Sequence, residues 1–504
     1  MNIKYNILPK STINFLKKRE ITNQKTLDRF LVPTFENLRP ADDILKTEVK
    51  KIGDAIKKGK KLLIWGDEDV DGITSVLIMK SLFKEIFKTE IQHYIPDRRK
   101  EGYSLSKKGI DKAYKKGINL ILTVDSGTNS RKEVKYLKEK GMDIVITDHH
   151  EIKKPLPEAT ILNPKIHSFG YKYLCGAGVA LKFADCMLSE YYNKTTTEWA
   201  KHLPEIPAYA LIGTILDKVP LLDENRIIFN EGLKYLKKST KSSFSLLSKK
   251  RNIQKALIPL ASGRENLTWD FFTASSKDEA EEIYEMLKIK HSNWNRNARG
   301  EFSTIKNELN DGNLIIFKEN LNYKIASSVA NRAKDYTGFP IFIIHKLDSE
   351  IRGEGRGPKN FDLIKVLDKV KDLLIEYGGH KCACGFKLKK GKLEKFKERA
   401  EPLLKKYKAK NSYDSELKLA EITPDFKNLL KKIEPFGYGN PPPIFLVKNL
   451  YYERTGKDYF LYNGKSKLQL DKVKEMPPPS KKVDAYLEIK NGKTILNRWE
   501  WTKD

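Results

Sequence analysis

Residues 62–72 read LLIWGDEDVDG, a short apolar run that ends in alternating aspartates and a glycine. Two later stretches repeat this pattern, because residues 120–127 read LILTVDSG and residues 144–150 read IVITDHH. Helical patterns of roughly 10–15 residues separate the three runs. Strands that alternate with helices of this length predict βαβ units and a parallel sheet.

Each of these apolar runs ends in side chains that can bind metal ions. The carboxyl ends of parallel strands lie along one edge of a sheet, so we expect these acids and histidines to converge there. Several carboxylates in one pocket repel each other unless cations neutralise them. Oxygen ligands suit Mg²⁺ and Mn²⁺, and an added imidazole favours Mn²⁺. A single Asp after a strand often only caps the next helix, but three such endings favour a metal site.

The composition narrows the class of protein. The 504 residues carry a formal net charge of +29, which favours a polyanionic partner such as a nucleic acid. Most of the 95 basic residues are lysines spread along the chain, so a general lysine bias, as in thermophilic proteins, would give a similar charge. Four cysteines are too few for a disulfide framework, and no apolar stretch is long enough to span a membrane. We therefore expect a cytoplasmic protein without a membrane segment.

The predicted fold class is α/β, with a parallel-sheet domain, a long connecting helix, a smaller α/β domain and a C-terminal all-β domain. A polar helical pattern spans residues 278–309, and two Asn-Gly pairs after residue 412 are typical of turns between strands. The predicted limits are 1–60 for an N-terminal helical lead-in, 61–237 for the parallel-sheet domain, 238–310 for the interdomain segment, 311–411 for the smaller α/β domain and 412–504 for the β domain.

Several motifs resemble those of the DHH phosphoesterase superfamily. They are DEDVDG at 67–72, VDSG at 124–127, TDHH at 147–150 and LDKVPL at 216–221, with YGGH at 377–380 similar to the DHH-associated domain. A narrower resemblance is to the RecJ family of single-strand-specific exonucleases, whose C-terminal domain is an OB-fold. It rests on IPDRRKEGYSLS at 95–106, LNPK at 162–165, CGAGVALK at 175–182, DENR at 223–226 and EPFGYGNPPPIF at 434–445.

This resemblance implies a metal-dependent exonuclease that hydrolyses single-stranded DNA in the 5′ to 3′ direction and acts in DNA repair and recombination. Two Mn²⁺ or Mg²⁺ ions would activate water and stabilise the leaving oxygen, with no covalent intermediate. The implied partners are single-stranded DNA, a single-strand-binding protein and a helicase, for a chain that is a monomer. The implied metal ligands are Asp69, Asp71, Asp125, His149 and Asp217, the catalytic partners Asp67, Asp148 and His150, and the substrate-binding residues Arg98, Arg264, Arg352, Arg356, Gly378, Gly379 and His380.

Two stretches depart from the family pattern near the expected binding site for the 5′ end. Residues 353–357 read GEGRG where the family usually has GSGRS, and residues 259–264 read PLASGR where it usually has INAAGR after an arginine. Glu354 replaces a hydroxyl donor with an anion that repels phosphate unless a basic side chain neutralises it. We therefore expect a weaker preference for a 5′-phosphate than is usual for the family.

Two other functions are compatible with these motifs. A DHH phosphodiesterase would act on short oligoribonucleotides or small nucleotides, and it would generally lack the EPFGYGNP segment. A non-catalytic replication scaffold related to RecJ would have lost metal ligands, whereas all of the expected ligands are present in this chain.

Overall fold

The structure is a computed structural model that describes residues 4–102, 104–263, 266–347, 349–407, 413–478 and 481–502. The chain forms two compact units, one of Met1–Leu287 with Ser412–Asp504 and the other of Lys288–Asn411. The expected α/β class is confirmed, with a parallel sheet, a second sheet in a smaller unit and a C-terminal β domain. The domain limits given above stay predictions.

The first unit contains a five-stranded sheet in which every neighbouring pair of strands is parallel. The strands are Leu62–Trp65 (β1), Gln92–Tyr94 (β2), Leu120–Thr123 (β3), Asp143–Thr147 (β4) and Thr160–Leu162 (β5). Their spatial order is β2-β1-β3-β4-β5.

Helices cover both faces of this sheet, which explains why its central strands read as continuous apolar runs. Leu62 and Ile64 belong to one hydrophobic cluster, while Leu63 and Trp65 belong to another on the opposite face. The helices before Lys306 are Lys10–Lys17 (α1), Gln24–Leu31 (α2), Asp43–Lys57 (α3), Val70–Phe87 (α4), Arg98–Glu101 (α5), Lys107–Lys115 (α6), Arg131–Glu139 (α7), Gly176–Tyr192 (α8), Thr196–Ala200 (α9), Glu205–Leu216 (α10), Asp223–Lys238 (α11), Ser242–Ser248 (α12), Ile253–Leu257 (α13), Leu267–Thr273 (α14) and Lys277–Thr304 (α15).

The long helical pattern predicted for 278–309 is two helices, because α15 ends at Thr304 and a short helix, Lys306–Asn310 (α16), follows. The backbone at Ile305 separates the two helices. None of the helices among the described residues combines the length and apolar character that a bilayer span requires.

The second unit continues after α16 with Ile315–Lys318 (β6), Tyr323–Thr337 (α17), Ile341–Leu347 (β7), Glu350–Arg356 (β8), Leu363–Lys369 (α18), Leu374–His380 (β9), Ala383–Leu388 (β10) and Leu393–Lys405 (α19). Its strands form a mixed sheet of order β6-β7-β8-β10-β9, in which only the first pair is parallel. The hydrophobic core of this unit includes residues from α17, β7 and α19.

The C-terminal β domain belongs to the first unit and shares its hydrophobic core. The rings of Phe15 in α1 and Phe445 are 5.6 Å apart, so the N-terminal helices pack directly on this domain. Asn491 and Gly492 form the predicted tight turn, both with positive φ. The elements are Ser415–Glu416 (β11), Pro424–Ile433 (α20), Ile444–Thr455 (β12), Asp458–Tyr462 (β13), Lys467–Leu470 (β14), Lys472–Val473 (β15), Val483–Lys490 (β16) and Lys493–Trp501 (β17).

Candidate metal centre

The predicted cluster of acids and histidines lies at the carboxyl edge of the parallel sheet. β1 leads into Asp67 and Asp69, β3 into Asp125, and β4 into Asp148 and His149. Asp217 completes the cluster from a different kind of element, the C-terminal end of helix α10. Three groups of these side chains bring their ligand atoms within 4.8 Å of one another: Asp71 with His149 and Asp217, Asp67 with Asp69 and Asp125, and Asp125 with His149 and His150.

His149 lies at the centre of this cluster. Its Nε2 atom is 3.1 Å from Asp125 Oδ1, 3.7 Å from Asp71 Oδ2 and 3.8 Å from Asp217 Oδ2. Burial, followed by the charge of His150, lowers the pKa of His149 to about 3. The imidazole is therefore neutral at physiological pH, which is the form that binds a metal ion.

Asp71 is fixed by the amino end of another helix. Its carboxylate accepts hydrogen bonds from the backbone N–H groups of Gly176 (2.6 Å) and Ala177 (2.9 Å), the first residues of α8. Gly213 permits this approach, since a Cβ there would lie 2.5 Å from Asp71 Oδ1. Asp69 accepts a hydrogen bond from Gly72 N as the N-cap of α4, and its carboxylate also belongs to one of the three groups of potential ligands.

The carboxylates repel one another strongly. Burial and the charge of Asp69 raise the pKa of Asp71 to about 6. Burial and the charge of Asp71 raise the pKa of Asp125 well above its ordinary value, and desolvation with the same neighbour does so for Asp217. Cations bound among these carboxylates would reduce the repulsion and stabilise the cluster.

The donor set fits divalent cations. Within the described residues, Asp125 Oδ1 is buried without a hydrogen bond, the nearby nitrogen being the neutral imidazole of His149. Oxygen ligands with one imidazole suit Mn²⁺ and Mg²⁺. When bound, such ions would supply Lewis-acid activation of water and of a phosphate group.

Asp148 and His150 form a pair with different electrostatics. His150 Nδ1 lies 2.7 Å from Asp148 Oδ1, and Asp148 also accepts hydrogen bonds from the backbone N–H groups of Thr128 and His149. Burial opposes ionisation of both side chains, but their mutual hydrogen bond and charge outweigh it. The pKa of His150 rises to about 9, while that of Asp148 falls below its usual range. At neutral pH His150 is therefore a cation beside the potential metal ligands.

Arg98 lies at this site and contacts two acids. Its Nε donates to Asp67 Oδ1 at 2.7 Å, and its Nη2 donates to Asp69 Oδ2 at 2.8 Å. A cavity of about 150 Å³ is lined by this arginine, Asp69, Asp71 and Asp217. The guanidinium therefore balances acidic charge in the wall of this cavity.

The remaining predicted substrate residues are in the second unit, except Arg264, which lies outside the described residues. Arg352 and Arg356 are on β8, with Gly378, Gly379 and His380 two strands away on β9. In register, Ala383 of β10 pairs with Arg356 on one side and with His380 on the other. The sheet therefore brings these two predicted residues into one row.

Sequence reasoning gave no role to the residues that hold the His149–His150 loop. Asn163 Nδ2 donates to the backbone oxygen of His150 at 3.1 Å, and Lys165 Nζ donates to that of His149. Both belong to the LNPK stretch at 162–165, which carried the family resemblance without a structural explanation. The LNPK stretch could therefore have indicated these residues, but only the structure shows what their side chains contact.

The affinity for Mn²⁺ is expected to rise steeply from about pH 5 to about pH 7. The raised pKa of Asp71, about 6, means that a proton competes with the cation below this value. Each proton displaced contributes up to about a tenfold change in affinity per pH unit. Titration calorimetry at several pH values, in buffers that differ in ionisation enthalpy, measures both affinity and proton release. An affinity that stays flat over this range would contradict the prediction.

Comparison with known protein families agrees with this arrangement. The family model for the DHH family, N-terminal domain, matches residues 61–211. The DHHA1 domain matches residues 310–406, and the RecJ OB domain matches residues 413–471. Residues 61–211 therefore form a domain of the DHH family.

The chain is similar to proteins named RecJ over most of its length. It is 29% identical to the single-stranded-DNA-specific exonuclease RecJ of Bacillus subtilis over 447 residues, which are 82% of this chain and 55% of that protein. It is 25% identical to the RecJ exonuclease of Haemophilus influenzae, with coverage of 85% and 81%. The chain thus spans about half the length of the first relative and most of the second.

A solved structure shows the same fold. The crystal structure of RecJ from Thermus thermophilus in complex with Mn²⁺ superposes with a TM-score of 0.79 at 20% identity. The match covers 99% of this chain and 77% of the other.

Proposed function

We propose that the protein is a metal-dependent exonuclease that hydrolyses single-stranded DNA in the 5′ to 3′ direction, with two Mn²⁺ or Mg²⁺ ions. The observation that carries this proposal is the cluster of Asp71, Asp125, His149 and Asp217, whose ligand atoms come together at one edge of the sheet. The relatives named as single-stranded-DNA-specific exonucleases support the substrate. The proposal includes a role in DNA repair and recombination, as the resemblance of the motifs implies.

The side chains in and around the cluster would have different roles. Asp69, Asp71, Asp125, His149 and Asp217 would hold the ions, as the resemblance implied. His150 is a cation at neutral pH, and with Nδ1 bonded to Asp148 it keeps its Nε2–H for an anionic oxygen of the substrate. Arg98 would exchange part of its contact with Asp67 and Asp69 for a phosphate. No nucleophilic side chain is needed, because water attacks the phosphorus atom.

The C-terminal β domain offers a surface for single strands. Tyr451 and Tyr462 are stacked on neighbouring strands with ring centroids 5.5 Å apart, and both are partly exposed. The Nζ atoms of Lys482 and Lys467 lie over the rings of Tyr451 and Phe460, at 6.0 Å and 4.3 Å. Aromatic rings beside basic groups bind unpaired bases and phosphates without regard to sequence.

End-labelled DNA tests the proposal directly. Single-stranded DNA and RNA labelled at either end are digested with Mn²⁺, together with duplex DNA and a dinucleotide, and the products are resolved by length. We expect nucleotides to be released from the 5′ end of single-stranded DNA. Digestion from the 3′ end, activity on the dinucleotide alone, or no metal-dependent activity would each contradict the proposal.

The proposal also includes the oligomeric state, the location and the partner proteins. We expect a monomer in the cytoplasm that works with a single-strand-binding protein and a helicase, as the resemblance implies. The helicase would supply the unpaired strand that the enzyme needs.

Glu354 gives a prediction about the 5′ end. Arg356 Nη1 lies 3.3 Å from Glu354 Oε2, so the anion that departs from the family pattern is neutralised by the arginine expected to bind phosphate. Burial raises the pKa of Glu354, while the charge of Arg356 and its hydrogen bond oppose this rise. We expect 5′-phosphorylated and 5′-hydroxyl oligonucleotides to be cut at similar rates, because Arg356 is already paired.

Glu354→Ser is expected to increase the preference for the 5′-phosphate by roughly tenfold in kcat/KM, equivalent to about 1.4 kcal/mol. Glu319→Ser is the matched control, since Glu319 is an exposed acid of the same unit that pairs with Lys346. Competition between the two oligonucleotides in one reaction measures the ratio. A strong phosphate requirement in the unmodified protein would contradict the prediction.

A further inference from the structure

One ligand of the metal cluster lies on a loop that the C-terminal β domain contacts. The loop is residues 217–222, called the Asp217 loop here, and it begins where helix α10 ends. The carboxylate of Asp71 is held by a backbone N–H group of α8. The carboxylate of Asp217, in contrast, is partly exposed, and His149 Nε2 lies 3.8 Å from it. The position of Asp217 therefore depends mainly on the backbone that carries it.

The backbone of this loop is bonded to the segment 434–440 of the β domain, called the 434–440 loop. The N–H of Leu221 donates to the backbone oxygen of Tyr438 at 2.8 Å. A Cβ on Gly439, whose φ is +72°, would lie 2.4 Å from the Cβ of Pro220. A Cβ on Gly437 would lie 2.6 Å from a methyl carbon of Leu221. The two loops are thus in direct contact, with no room between them for added atoms.

The 434–440 loop is in turn fixed on the far side. Asn440 is fully buried, and its Nδ2 donates to the backbone oxygens of Ile433 and Pro435 at 3.0 and 2.9 Å. Its Oδ1 accepts from Arg19 Nε, and Gln254 Nε2 donates to the backbone oxygen of Phe436. This loop is a rigid support, held by the N-terminal helices and by α13.

We infer that the 434–440 loop is a positioning element for the metal site, which sets the place of Asp217 through Pro220 and Leu221. The inference rests on the metal site proposed above. The C-terminal β domain would then have two roles, binding DNA and positioning Asp217. The 434–440 loop, which faces Pro220, would serve the second role and not the first. Partners that orient a ligand without touching the metal commonly change metal affinity by about 10- to 100-fold.

The first test compares two glycine variants of the full chain. Gly439→Ala adds a methyl group where the Asp217 loop lies, whereas Gly456→Ala adds one at φ +62° with nothing within 4 Å. Both substitutions place alanine in a left-handed conformation, so they share the same backbone strain. We expect Gly439→Ala to weaken Mn²⁺ binding by about tenfold or more in titration calorimetry, and Gly456→Ala to leave it unchanged. Equal affinities for the two variants would overturn the inference.

The second test needs no variant and covers the case in which Gly439→Ala does not fold. Coupling between two sites is reciprocal, so Mn²⁺ bound at Asp217 should stabilise the 434–440 loop. We expect Mn²⁺ to slow amide hydrogen exchange of Leu221 and Gly437, but not of the distant turn at 463–466. If Mn²⁺ binds but does not slow exchange in the 434–440 loop, the positioning role of this loop would be overturned and the metal site would stand. Failure of the protein to bind Mn²⁺ would overturn the metal site as well.

Discussion

Asp125→Asn is expected to lower nuclease activity by roughly 10³-fold, about 4 kcal/mol of transition-state stabilisation, and to make the metal-free protein more stable. Asp125 belongs to two of the three groups of potential ligands, and an uncharged amide is a poor ligand for Mn²⁺. In the absence of metal the same carboxylate is buried beside Asp71 and Asp69, which repel it. Activity and stability should therefore change in opposite directions.

The gain in stability has a defined dependence on pH. A buried acid whose pKa is raised binds its proton more tightly in the folded state, so the protein loses stability as pH rises from the unfolded pKa through the folded pKa. The amide introduced by Asp125→Asn does not titrate, so the difference in free energy of unfolding between variant and wild type should grow with pH. Thermal denaturation with a chelator, at a series of pH values, measures this difference.

Asp143→Asn is the matched control for this prediction. Asp143 begins β4, at the edge of the sheet opposite the cluster, and it is an exposed acid paired with Lys60. We expect its replacement to leave activity unchanged. A variant at Asp125 that keeps its activity, or that melts at lower temperature than wild type at high pH, would contradict the assignment of Asp125 to the metal site.

The convergence of the three strand ends could be predicted because it follows from local pattern alone. Apolar runs that alternate with helices fix a parallel sheet, and a parallel sheet places Asp69, Asp125 and His149 at one edge. Asp217 could not be found in this way, since it follows a helix and no strand. Only the resemblance of LDKVPL to a family motif indicated it.

Contacts between distant parts of the chain were beyond sequence reasoning. The pattern around Arg98 suggested a phosphate ligand, but it gave no sign that the guanidinium contacts Asp67 and Asp69. Residues 1–60 appeared to be a lead-in, whereas Phe15 packs against the C-terminal domain. Hydrophobic periodicity indicates which face of a helix is buried, but not which element covers it.

Arg226 makes contacts between distant parts of the chain that the sequence did not reveal, and we expect them to contribute strongly to stability. It belongs to the DENR stretch, and its side chain is almost fully buried in α11. The guanidinium donates four hydrogen bonds, to the backbone oxygens of Phe30, Lys432, Ile433 and Glu434, at 2.7 to 2.8 Å. It therefore joins helix α2 to the carboxyl end of α20, whose final carbonyl groups have no partner within the helix.

The charge of Arg226 is kept despite its burial. Burial lowers its pKa to about 9, so the side chain is still protonated at neutral pH. The carbonyl groups at the end of α20 carry the negative end of the helix dipole, which favours a cation there. A lysine could not replace it fully, because a single ammonium group cannot reach all four oxygens in the planar arrangement of a guanidinium.

Arg226→Met is expected to lower the free energy of unfolding by about 4 kcal/mol, because it keeps most of the side-chain volume and removes four hydrogen bonds to buried or partly buried carbonyl groups. Arg454→Met is the control, since Arg454 is an exposed arginine of the same unit. Denaturation in urea, followed by circular dichroism with a chelator present, gives both values. If the two variants lose the same stability, the four hydrogen bonds do not hold the C-terminal domain in place, and the 434–440 loop must be held by the contacts of Asn440 and Gln254 instead.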